Sequence, residues 1–166
     1  MSLYDVSVPA FIRMLGNLDV FLAKAEEYAS ANQIDPDVLV NARLFPDMLP
    51  LKAQVQIATD SAKRGAARLA GVDAPVFDDT EKTFKQLRAR IKKTISFLKK
   101  LKKAQFEGAE SRTVELPMGK TTLKLDGTSF LMGFAMPNFS FHVVTAYNIL
   151  RHNGVKLGKM DYLGSS

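Results

Sequence analysis

The sequence predicts an all-α protein, a four-helix bundle with a small β-hairpin between its third and fourth long helices. Two observations carry that reading. Four long segments repeat apolar residues at alternating steps of three and four, the signature of a helix with one buried face. A single stretch, RTVEL-PMGK-TTLKL, changes to strict alternation, the period of a strand. The 166 residues form one predicted domain, 1–166, large enough to bury a core without staples.

The first segment, VPAFIRMLGNLDVFLAKAEEYASAN, sets Phe11, Leu15, Leu18, Leu22 and Ala25 on one stripe. Asp35 followed by Pro36 reads as a cap and a first-turn proline, opening a short helix through Ala42. The second long helix runs from about Asp47 or Pro50 to Ala70, with Leu51, Val55, Ala58, Ala62 and Leu69 inward and Gly71 as its stop. Asp78, Asp79 or Thr80 is the expected cap of the third, whose stripe is Phe84, Leu87, Ile91, Ile95, Leu98 and Leu101. Gly119 supplies the hairpin turn. Thr128 or Ser129 opens the last helical region, which Pro137 is expected to break or kink. The last helix proper should then start near Asn138, its expected cap, and end at Arg151, His152 and Gly154. The tail VKLGKMDYLGSS has no periodicity. Residues 71–79, extended at roughly 3.3 Å each, could span about 30 Å, enough for a crossover between parallel helices.

With no cysteine, disulfides, thiolate catalysis and thiolate metal sites are excluded. Neither a signal-peptide pattern nor an apolar run of membrane-span length is evident, so a cytoplasmic protein with no membrane partner is expected. The net charge of +6 is local: Thr80–Ala104 holds ten Lys or Arg against Glu81. Its aromatics, Phe84 and Phe97, fall on or beside the apolar stripe, and lysines dominate. That is a solvated helix face rather than a specific nucleic-acid reader. PMGKTT echoes the end of a phosphate-binding loop, but the upstream glycine spacing is missing.

PDMLPL at 46–51, the adjoining QVQIATD, and NFSFHVVTAYNILRHNG with its GKMDYLG tail resemble the DinB/YfiT-like superfamily of four-helix bundles. The nearest branch is a bacterial one known only as a domain of unknown function. The resemblance implies a crossover topology, frequently a homodimer, and in metal-binding members three histidines: one on the second helix and two, four residues apart, on the last. It also implies possible transferase or isomerase chemistry. Here only His142 matches. Ala146 stands four residues on, no histidine lies on the second helix, and His152 falls roughly 80° around and about 15 Å along the axis from His142.

No resident metal or other cofactor is therefore expected. The leading expectation is a metal-free bundle binding a small anionic ligand between the second and fourth long helices, at Gln54, His142, Tyr147 and Arg151. Gln54 and Gln56 are two apart, so at most one should point fully inward and meet His142, Tyr147 or ligand. Tyr147 and Arg151 share a helix face and could offer a donor and a cation to a carboxylate or phosphate. A second reading is an enzyme using His142 as acid or base, with Asp47 or a degenerate metal site. Asp47 otherwise reads as the cap of the second helix. A third is an interaction protein using the basic helix.

Overall fold

The computed structural model describes residues 2–164. It is mostly helical: α1 (Leu3–Ala31), α2 (Pro36–Val40), α3 (Leu51–Ala70), α4 (Phe84–Lys100), α5 (Gly127–Phe130), α6 (Met136–His152) and α7 (Lys159–Leu163), with a two-stranded antiparallel hairpin of β1 (Val114–Met118) and β2 (Thr121–Leu125). Every residue of the two apolar stripes assigned to α1 and α3 is buried. α1 is the one helix among the described residues long and apolar enough to cross a membrane. Its stripe is instead packed into the core beside Phe21. It also begins earlier than its periodicity suggests, at Leu3, and carries Pro9 inside it on the exposed side, so the Asp5 carbonyl goes without its intrahelical amide donor there.

Helix ends show where local chemistry is decisive. Asp35 caps α2 by accepting from the Asp37 amide at 2.9 Å, and Gly71 ends α3 in the left-handed conformation at φ 67°. α3 takes Pro50, not Asp47, as its N-cap. The cap of α4 is Thr83, which accepts from the Gln86 amide while Gln86 answers the Thr83 amide. Asp78, Asp79 and Thr80 do not serve, because α4 starts only at Phe84, and Asp78 and Asp79 instead meet Arg90 through a carbonyl and a carboxylate respectively.

Pro137 does not break the last helical region. Residues 131–135 form a π-turn that joins α5 to α6, with the Met136 amide reaching back to the Leu131 carbonyl. The wider turn accommodates the proline ring in the first turn of α6. Asn138 is consequently inside α6, not its cap, and donates to Ser61 Oγ at 2.7 Å.

α3 is the central element, packing on α6, α4 and α1, while α1 also packs on α4, α6 and α7. The tail forms α7 after all, docked on α1 by Asn17 to the Tyr162 carbonyl and Lys24 to Asp161.

Candidate functional site

The seam between α3 and α6 brings Gln54 and His142 together. Gln54 Oε1 lies 2.7 Å from His142 Nδ1, and Gln54 Nε2 donates to the Leu49 carbonyl at 3.0 Å. Since a carbonyl only accepts, Leu49 orients the amide with its oxygen toward the ring. Nδ1 must then carry the proton, leaving Nε2 as the free lone pair. Burial pushes the His142 pKa below its ordinary value, which favours neutral imidazole at pH 7.

The other sequence candidates lie elsewhere. Gln56 is buried too, on the opposite side of α3, donating to Glu81 at 3.0 Å. Both glutamines turn inward because α3 has packed neighbours on two sides. Tyr147 packs edge-on against Phe21 and Tyr162, toward α1 and α7. Arg151 and His152 are exposed at the end of α6. Asp47 is exposed in the turn before α3 and makes no side-chain hydrogen bond or ion pair among the described residues.

A buried polar cluster joins α3, α4 and the loop between them. The Arg90 side chain is 1% exposed. Its Nε donates to Thr59 Oγ1 at 2.8 Å, Nη1 to the Asp78 carbonyl and Glu81, and Nη2 to Asp60, while Nη2 also forms an ion pair with Asp79 at 3.0 Å. Lys63, wholly buried, stands 2.8 Å from Asp60 Oδ1 without a well-aligned hydrogen bond, its Nζ 3.8 Å from the centroid of Phe77. Burial pushes the Glu81 carboxyl up, but hydrogen bonds from Gln56 and Arg90 outweigh it and hold the group below its usual range.

Beside that cluster a cleft of about 400 Å³ opens between α3, the hairpin and the π-turn. Its polar wall includes Asp60, Ser61, Arg64, Arg68, Asp79 and Asn138, and its apolar wall Leu116, Pro117, Met118, Phe130 and Phe134.

A family described as a domain of unknown function, DUF1993, matches residues 3–163. The chain belongs to this family. A crystal structure of a DinB family member protein from Shewanella denitrificans, at 1.83 Å resolution, is similar over 99% of this chain and 93% of that one, with 45% identity and a TM-score of 0.93. No curated protein matches the chain significantly.

In this DUF1993 member the donor set does not fit a resident metal. His142 keeps only Nε2 free, and Ala146, one turn along the same face of α6, is a buried methyl rather than a second imidazole. Among the described residues no three His, Asp or Glu side chains converge as ligands. Sequence reasoning missed Arg90, Lys63 and the cleft arginines. The signal available was an acid cluster, Asp78, Asp79 and Glu81, directly before a basic helix, and the spacing of four between Arg64 and Arg68.

Proposed function

We propose that this DUF1993 protein is a metal-free ligand-binding four-helix bundle of α1, α3, α4 and α6, acting as a homodimer. The observation that carries the metal-free reading is the lack of partners for His142: among the described residues no three His, Asp or Glu side chains converge as ligands. Gln54 fixes the tautomer of His142 through Nδ1, and one turn further along α6 stands Ala146, which ligates nothing. What remains is a neutral imidazole with one free nitrogen, suited to accepting a hydrogen bond from a small ligand in the α3–α6 seam. Tyr147 and Arg151 would contribute only indirectly, Tyr147 by packing α6 on α1.

Support for the dimer is the apolar exposure near that seam. Phe141 and Val144, which flank His142 along α6, are 57% and 37% exposed, and Phe45 and Leu49 before α3 are 63% and 47% exposed. Large unpaired apolar residues gathered on one side are the usual mark of an interface.

Elemental mass spectrometry on tag-free, dialysed protein tests the reading. Substoichiometric metal, unchanged by His142→Ala, is expected. Near-stoichiometric zinc or nickel that His142→Ala removes would overturn it. A second reading, general-base catalysis by His142, is favoured by the single fact that the tautomer leaves Nε2 unprotonated.

A further inference from the structure

The cleft between α3, the hairpin and the π-turn and the buried cluster beside it together carry one more cation than the fold itself pairs. The acids are committed. Asp60 contacts Lys63, Arg64 and Arg90, while Asp79 and Glu81 contact Arg90. Three cations, Lys63, Arg64 and Arg90, therefore share three carboxylates, and a fourth, Arg68, forms no ion pair or side-chain hydrogen bond among the described residues. Arg68 is half-buried, one helical turn from Arg64 on the same face of α3. Burial and the Arg64 charge both push its pKa down, so the guanidinium is held where its charge is disfavoured. An anion in the cleft would relieve both effects.

The walls narrow the class of anion. Phe130 and Phe134 stack with centroids 6.2 Å apart, and with Met118 they offer an apolar surface opposite the arginines. Asn138 donates to Ser61 Oγ, leaving the serine proton and the Asn138 carbonyl for a further polar group. Asp60 and Asp79 also line the cleft and would repel a second negative charge. One uncompensated cation, an aromatic wall and two flanking carboxylates select a single charge on an apolar body.

We propose that this cleft binds a small amphipathic monocarboxylate, its carboxylate held by Arg68 and Arg64 and its apolar body against Phe130, Phe134 and Met118. The planar guanidinium fork matches a carboxylate in two parallel hydrogen bonds. The volume lies within the range of small-molecule sites. The site is separate from His142: Gln54, its partner, and Arg64 are ten residues apart on α3, about 15 Å along the axis. The proposal stands whether or not the α3–α6 seam binds anything.

Amide NMR titration of the full chain with sodium benzoate tests it, with hexanoate as a second acid, and benzyl alcohol and inorganic phosphate as comparators. Saturable shifts at Gly65, Phe134 and Asn138 are expected, with a Kd on the order of millimolar for so small a probe. Benzyl alcohol and phosphate should bind at least about tenfold more weakly, because one lacks the charge and the other the apolar body. Arg68→Gln should weaken benzoate by a similar factor while the melting temperature stays level or rises, since no ion pair is lost. His142→Ala should leave binding unchanged. Arg64→Gln, expected to weaken binding less because Arg64 is shared with Asp60, gives an independent variant should Arg68→Gln fold poorly. Absence of saturable shifts with both acids overturns the proposal. So does undiminished binding in the arginine variants, or phosphate binding tighter than benzoate.

Discussion

Gln54 relays the carbonyl of Leu49 to His142: a 3.0 Å donation from Nε2 to Leu49 orients the amide whose oxygen lies 2.7 Å from Nδ1. The imidazole should therefore exist as the Nδ1–H tautomer, which ¹⁵N chemical shifts of the ring report directly. Gln54→Leu would leave that N–H buried without an acceptor, at a cost of about 1–3 kcal/mol in urea unfolding. Equal stability of the variant would mean that the pair is not formed in solution.

The same burial makes a pH prediction. The folded-state pKa of His142 lies below the ordinary 6.5, so below pH 6.5 the unfolded chain binds the proton more readily than the folded one. The contribution of His142 is complete above the unfolded pKa and is lost as pH falls toward and through the folded value. Stability should drop between pH 7 and 5, and His142→Gln should flatten that part of the profile. An imidazole titrating above 6.5 by NMR contradicts it.

Two glycines separate available space from forbidden space. At Gly65, inside α3, an added Cβ would meet Ala135 Cβ at 3.4 Å and Phe11 at 3.8 Å, ordinary contacts. Gly65→Ala should gain about 0.5–1 kcal/mol from helix propensity alone. At Gly127, the start of α5, a methyl would overlap the backbone carbonyl of Ala109. Gly127→Ala should cost more than about 3 kcal/mol, because backbone, unlike a side chain, cannot turn aside. Thermal melts of the two variants should move in opposite directions.

The proposed dimer places its contacts on residues whose removal leaves the monomer core intact. Phe141→Asp should convert a dimer to a monomer in sedimentation equilibrium without changing the helical circular dichroism. A wild-type chain that sediments as a monomer at about 100 μM, well above a typical micromolar dissociation constant, would remove the dimer from the reading.

How far the sequence shows these features depends on whether they are local. The stripes of α1 and α3 were legible because burial repeats at the helix period, and Asp35-Pro36 and Gly71 because capping is local chemistry. Asp78 and Asp79 have the residue type and position of caps, but a residue more than ten positions away, Arg90, engages them instead. Asn138 reads as a cap because nothing in the sequence announces the π-turn that carries Pro137 into the helix. Residue type leaves open which of Gln54 and Gln56 turns inward and whether it meets His142, Tyr147 or a ligand; that Gln54 meets His142 while Tyr147 turns toward Phe21 is a tertiary fact. The cleft needs the hairpin folded beside α3, so its arginines read as surface charge.

Arg90 and Lys63 were hidden for a related reason: among many basic residues, one buried guanidinium or ammonium is indistinguishable by composition. Removing Arg90 gives the sharpest stability test. Arg90→Ala leaves Glu81, 13% exposed, without its ion-pair partner, takes one of three cations from Asp60, and frees the loop between α3 and α4 at the Asp78 carbonyl. Breaking one side of such a buried pair costs about 3–5 kcal/mol. Arg90→Met, which keeps an apolar stem in the buried site but strands Glu81 in the same way, should be nearly as damaging in urea unfolding. Arg90→Met combined with Glu81→Gln should recover part of the loss, because one stranded charge is gone. If the double variant is no more stable than Arg90→Met alone, Glu81 is already solvated, and the network is a surface feature rather than a buried one.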